Sequence, residues 1–169
     1  MAIPERRKAN NHELSIQKHI KDNFATPHSI DVNYQDQTFD VSALNLWVDI
    51  TFLSYGAGRK GETMLQLDVY SRVRGKQPSG DRLLSTLRDT VQKLIAAMHT
   101  NCIQVYDFST PASPTVISGA KLMVQNSDGT FREPEGDQFL GIEDGVARRS
   151  LVYRLRMLED ASRAFSYYD

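Results

Sequence analysis

Leu44-Asn45-Leu46-Trp47-Val48-Asp49-Ile50-Thr51-Phe52, followed by Leu65-Gln66-Leu67-Asp68-Val69, decides the fold. In the first run Leu44, Leu46, Val48, Ile50 and Phe52 alternate with Asn45, Trp47, Asp49 and Thr51. Alternate side chains of a strand point to opposite faces, so one face is apolar and the other mixed. The second run repeats the pattern, and Ser71 and Val73 extend it. Between them lies the glycine-rich stretch Gly56 to Gly61, so the pair reads as an antiparallel hairpin.

On either side of this hairpin the apolar period changes. Upstream, Ile16, Ile20 and Phe24 recur every four residues with Leu14 beside them, a helix. Asn10 and Glu13 have capping-box spacing and place its start at Asn10. Ala25-Thr26-Pro27 ends it, because the residue before proline disfavours helix. Residues 1–9 read as a loose basic arm. Ile30, Val32 and Tyr34 alternate as a short strand. Downstream, Leu83, Leu84, Leu87, Val91, Leu94, Ile95 and Met98 form one stripe, a helix over residues 81–98 with Ser79 as its N-cap. Ile103, Val105 and Phe108 predict a strand, and Thr115 to Val124 another, with a bulge at Gly119. Asn126 to Val146 reads as a long polar loop or a weak hairpin about Asp128-Gly129. Leu151, Tyr153, Leu155 and Met157 make the last strand, and residues 159–169 a tail.

The expectation is one α+β domain over residues 1–169. It has a mixed, mostly antiparallel sheet with two helices on one face. At 169 residues a folded chain can bury about 70% of its unfolded surface, so no disulfide or metal staple is needed. Cys102 is the single cysteine, which excludes an internal disulfide; it reads as a small buried residue. The formal net charge of -1 argues against a generally basic nucleic-acid binder. No apolar run approaches the roughly 20 residues of a membrane helix, and no apolar segment follows Arg6, Arg7 and Lys8 to make a secretory signal. Charge is uneven along the chain: residues 22–58 hold five acids and no Lys or Arg, and residues 59–99 eight bases against four acids.

The motifs that look chemical fail on position. Gly56-Ala57-Gly58-Arg59-Lys60-Gly61 spells G-x-G-x-x-G, but a strand follows where pyrophosphate binding needs a helix N-terminus. Glu62 also stands where a phosphate-binding loop carries lysine. Asp49 and Asp68 lie on successive strands as in a metal-dependent nuclease, yet Asp68-Val69-Tyr70 lacks the acid-x-Lys that such chemistry uses. His12, His19, His28 and His99 form no i,i+4 pair or other zinc spacing. No serine sits in G-x-S-x-G, and Cys102 has no nucleophile signature around it. Trp47, Tyr106, Phe108 and Tyr153 lack the glycine-aromatic consensus of RNA-binding sheets. Catalytic, cofactor and metal residues are therefore expected to be none.

One resemblance remains. The strand Lys60-Gly61-Glu62-Thr63-Met64-Leu65-Gln66-Leu67-Asp68-Val69-Tyr70 leads through a turn with Pro78 and Asp81 into the helix of Leu84, Leu87 and Val91. The chain closes with the alternating strand Leu151-Val152-Tyr153-Arg154-Leu155. In this order, over about residues 10–158, the chain resembles the tail terminator proteins of long-tailed bacteriophages. It departs from them by extra length in residues 107–149 and after Met157. The resemblance implies a structural virion protein, not an enzyme. It implies self-association into a ring, a hexamer, on the head-proximal end of the tail tube. The implied partners are the tail tube protein and a head-closure connector, with viral DNA passing through the lumen and no membrane contact. It carries over no interface residues. A neck or head-closure protein, and a metal-dependent nuclease, stand as alternatives.

Overall fold

The computed structural model describes residues 5–34, 38–55, 62–72, 80–100, 102–125 and 133–158. The first helix, α1 (Glu5–Ile20), continues through one π turn (Lys21–Ala25) into α2 (Thr26–His28). Strands β1 (Asp31–Asn33), β2 (Leu46–Tyr55) and β3 (Glu62–Arg72) follow, then α3 (Gly80–Met98). The chain then forms β4 (Ile103–Asp107), β5 (Thr115–Gln125), β6 (Gly136–Glu143) and β7 (Val146–Leu158).

All seven strands form one sheet in the order β1-β2-β3-β7-β5-β4, with β6 also paired to β7. Only β1 is parallel to its neighbour, β2; the other pairings are antiparallel. The 13-residue β7 joins the halves. One edge pairs with β3 along its length; the other is shared end to end by β6, over 146–152, and β5, over 154–158.

The alternation that predicted the hairpin decides which face is covered. Val48, Ile50, Leu65, Leu67, Val69, Leu151, Tyr153 and Leu155 form one buried cluster with the helical residues Ile16, Ile20, Phe24, Leu83, Leu87, Val91, Leu94 and Met98. Each large apolar side chain removed from water there contributes about 1.5–3 kcal/mol, and α3 alone supplies five. Both helices thus lie on one face, as the pattern predicted.

Three boundaries differ from the sequence reading by more than two residues. Helix α1 begins at Glu5, so Asn10 and Glu13 sit inside it, and residues 5–9 are not an arm. The helix also passes through Pro27. Proline removes an N–H and crowds the carbonyl four residues back; the preceding turn widens to π geometry, with Thr26 N–H bonded to the Lys21 carbonyl, and accommodates it. The stop comes at Ser29, left-handed at φ 52°. There Ile30 N–H reaches the Ala25 carbonyl at 3.1 Å and Ser29 N–H the Thr26 carbonyl at 3.4 Å, a Schellman closure.

The third difference lies in residues 126–146. Residues 136–143 are strand, β7 begins at Val146, and the turn between them is Asp144-Gly145, with φ 49° and 74°. Two positive φ values are what a two-residue type I′ hairpin requires. Asp128-Gly129, the Gly56–Gly61 turn, Ser79, residues 1–4 and the 159–169 tail lie outside the described residues.

Gly119 does mark a bulge, at φ 87°. The β4–β5 register jumps from Gln104↔Lys121 to Tyr106↔Val116. The Gln104 amide fills the gap, its Nε2 lying 3.1–3.2 Å from the carbonyls of Val105, Ile117 and Ala120. A broken ladder thereby keeps donors for its buried acceptors.

Candidate functional site

Among the described residues β1, β4 and β6 are outer strands of the sheet, and they are treated differently. Strand β1 is three residues long. Strand β4 is shielded by α1: Tyr106 N–H donates to Ser15 Oγ (2.9 Å) and Phe108 N–H to Asn11 Oδ1 (3.1 Å). The Ser15 hydroxyl in turn donates to the Asn11 carbonyl at 2.6 Å. Buried polar residues on α1, off its apolar stripe, therefore occupy an edge that would otherwise invite another strand. Among the described residues strand β6 has neither remedy. Among the described residues it pairs only with β7, and Phe139, Leu140 and Ile142 are 47%, 44% and 51% exposed.

Register explains that exposure. Phe139 stands opposite Arg149 and Ile142 opposite Ala147, with an irregularity between Phe139 and Gly141. Phe139 and Ile142 thus lie on the face that carries Leu151 and Tyr153, but outside the helical cover. The segment is acidic: residues 133–146 contain Glu133, Glu135, Asp137, Glu143 and Asp144 and no Lys or Arg. Arg149 grips Asp137 with two bonds of 2.6 and 2.8 Å, and Arg154 holds Glu135 at 3.0 Å. These pairs fasten the strand to β7 and leave Glu143 and Asp144 exposed at its tip.

A second feature is a cleft of about 770 Å³ where α1 and α2 span β1 and the loop after β4. Its apolar walls include Leu14, Ile30, Val32, Phe108, Pro111 and Pro114, and Lys18 and Lys21 line it too. Lys18 pairs with Asp22 at 2.7 Å and lies 5.5 Å from the Tyr106 ring centre. Tyr34 also lines the cleft; its hydroxyl is buried without a hydrogen-bond partner among the described residues, and burial pushes its pKa up to about 12.

The third feature is on the sheet face away from the helices. Trp47 stacks on Tyr70 at 4.9 Å and 6° between planes. Arg72 lies 5.1 Å from the Trp47 ring centre and Arg148 5.4 Å from that of Tyr70. The structure brings Asp49 and Asp68 together as directly opposed residues of β2 and β3. Asp68 accepts hydrogen bonds of 2.8 Å from Gln66 and from Arg148; the Asn33 and Tyr70 side chains lie near Asp49 and act to lower its pKa. Burial, and secondarily the neighbouring Asp68 charge, raise the Asp49 pKa. Among the described residues no lysine joins the pair; Arg148 does, and a guanidinium keeps its proton.

The remaining candidates are dispersed. His12 is buried and its pKa is lowered to about 4 by that burial. His19 Nε2 lies 2.9 Å from the Ala97 carbonyl, tying α1 to α3; His28 packs edge-on to Phe24. Among the described residues no three His, Cys, Asp or Glu are placed to hold a metal ion, and no helix is long and apolar enough to cross a membrane. Cys102 is only partly buried, against expectation, because it lies between α3 and β4 rather than within either. Sequence reasoning missed the β6 edge and the cleft. The signal for the former was Phe139-Leu140-Gly141-Ile142 directly before Asp144-Gly145.

No protein-family model matches the chain, and no curated protein matches it in sequence.

Proposed function

We propose that this chain is a ring-forming structural subunit of the phage tail terminator type, which caps the head-proximal end of a tail tube and offers the joining surface for the head. The observation that carries the reading is the contrast between two edges of one sheet. Strand β4 is shielded by α1 side chains, while β6 presents an edge unpaired among the described residues and three half-exposed apolar side chains. A monomer gains nothing from such an edge, and identical subunits in head-to-tail contact close it into a ring. The order of helix, short strand, hairpin, amphipathic helix and closing strands supports the same reading.

Electron microscopy of purified tail tubes incubated with the protein tests it. The expected result is a ring at one end of each tube and no further elongation when tube subunits are added. Tubes that elongate unchecked and carry no cap would reject the reading. In infected cells, a phage without the protein is expected to accumulate unjoined heads and overlong tubes.

A further inference from the structure

We infer that Asp49 and Asp68 share one proton across the β2–β3 ladder, Asp49 carrying it and Asp68 Oδ1 accepting it. The pair is thus a pH-dependent clasp between two strands, and it works the same in a lone subunit as in a ring.

Register and hydrogen bonding place the proton there. The two residues are partners in an antiparallel pair, so their side chains leave the same face. Directly opposed residues hold their Cβ atoms about 4.5–5.5 Å apart, which brings two carboxyl groups within hydrogen-bond reach. Each residue keeps a buried Oδ1 without a hydrogen-bond partner among the described residues. Two carboxylates only accept, so they cannot satisfy one another; a protonated carboxyl donates one O–H to a carboxylate. One proton therefore serves both bare atoms and removes one of two facing like charges.

The nearby cation decides which residue carries it. Arg148 Nη2 and Gln66 Nε2 both donate to Asp68 Oδ2, each at 2.8 Å, and the Asp68 side chain is 6% exposed. Those bonds fix Asp68 as the acceptor. Asp49 has no cation bonded to it among the described residues. Burial, and then the Asp68 charge, raise its pKa against the opposing effects of Asn33, Tyr70 and Arg148.

The other titratable and charged groups on this face are Asp31 on β1, Tyr70 and Arg72 on β3 and Arg148 on β7. Burial, with the Asp68 charge behind it, pushes the Tyr70 hydroxyl up to about 12, and the guanidiniums keep their protons. Below the raised folded value of Asp49 the proton joins β2 to β3. As pH rises through that value the proton leaves to solvent and two carboxylates face each other.

The test is carboxyl-carbon NMR of the full-length protein labelled with [4-13C]aspartate, titrated from about pH 3 to about pH 8, with Asp49→Asn and Asp68→Asn giving the assignments. The expected result is one step above the ordinary aspartate range in which the Asp49 and Asp68 signals move together, as coupled groups do. Asp49→Asn should abolish that step in the Asp68 signal, and Asp68→Asn should lower the Asp49 midpoint by about one pH unit or more. Infrared spectra of the wild type just below the step should show a protonated-acid carbonyl band that Asp49→Asn lacks. An Asp49 signal titrating in the ordinary range would overturn the clasp, as when Arg148 Nε, also buried and unpartnered among the described residues, served both carboxylates. A raised Asp49 midpoint that Asp68→Asn leaves unmoved would overturn it too, since burial alone then explains the rise.

Discussion

Asp49 and Asp68 stand directly opposite one another on β2 and β3, and of the two only Asp68 is held by Arg148, at 2.8 Å, with Gln66 also donating to it. Each also keeps one buried oxygen, Oδ1, with no hydrogen-bond partner among the described residues. Opposed like charges cost stability in a sheet, and bare buried acceptors add to that cost.

Asp49→Asn is therefore expected to stabilise the fold near neutral pH. The Asp49 pKa is raised, so its contribution is fully present below the unfolded value of about 4 and is lost as pH rises through the folded value. Wild-type stability minus that of Asp49→Asn should fall over that rise. Denaturant melts of both proteins at pH 4 and pH 7 measure it; a difference that does not change with pH would contradict the prediction.

His12 acts in the opposite sense. Its pKa is lowered to about 4 by burial, so the stability it confers is present above about 6.5 and is lost as pH falls toward 4. The loss should reach roughly 3 kcal/mol at the low end of the window. In melts across pH 4–7, wild-type stability minus that of His12→Gln should rise with pH by about that amount; a difference that does not change with pH would contradict the prediction.

Arg148→Ala should destabilise by about 2–3 kcal/mol, because the Asp68 side chain, 6% exposed, loses its cationic partner. Adding Asp68→Asn should recover part of the loss. If the single variant melts like wild type, the pair is a surface decoration and the account of this face is wrong.

Tyr153 is fully buried in the core, with its hydroxyl unpartnered among the described residues. Removing the oxygen keeps the ring and its packing, so Tyr153→Phe is expected to raise stability by about 1 kcal/mol. A fall of similar size in the denaturation midpoint would reveal a partner for the hydroxyl.

The elements with strong periodicity were legible in the sequence. Alternation at Leu46–Phe52 and Leu65–Val69 located the hairpin, its faces and the layer it buries. The stripe from Leu83 to Met98 located α3 within one residue at its start. Signals that one neighbour can override were misleading. The Asn10–Glu13 spacing suited a cap, but the chain upstream is helical from Glu5. The Thr26-Pro27 step suited a stop, but a π turn absorbed it. Parallel pairing of β1 with β2 leaves no mark in a three-residue strand. Strand β6 escaped because its apolar residues are exposed, so they do not follow the one-sided burial that makes a strand visible. The cleft was least legible: it joins residues 14–34 to residues 108–114, a juxtaposition that only the sheet path creates.

That path makes completion of the fold wait on its last described strand. β1, β2 and β3 form one ladder and β4 and β5 another, and each meets the rest of the sheet through β7. A nascent chain that has not yet delivered Val146 to Leu158 holds two partial sheets with open edges at β3 and β5. Contacts this distant in sequence form slowly. A message truncated between β5 and β7 would thus yield a chain with two unjoined partial sheets rather than a smaller version of the protein, and such open edges are prone to aggregate.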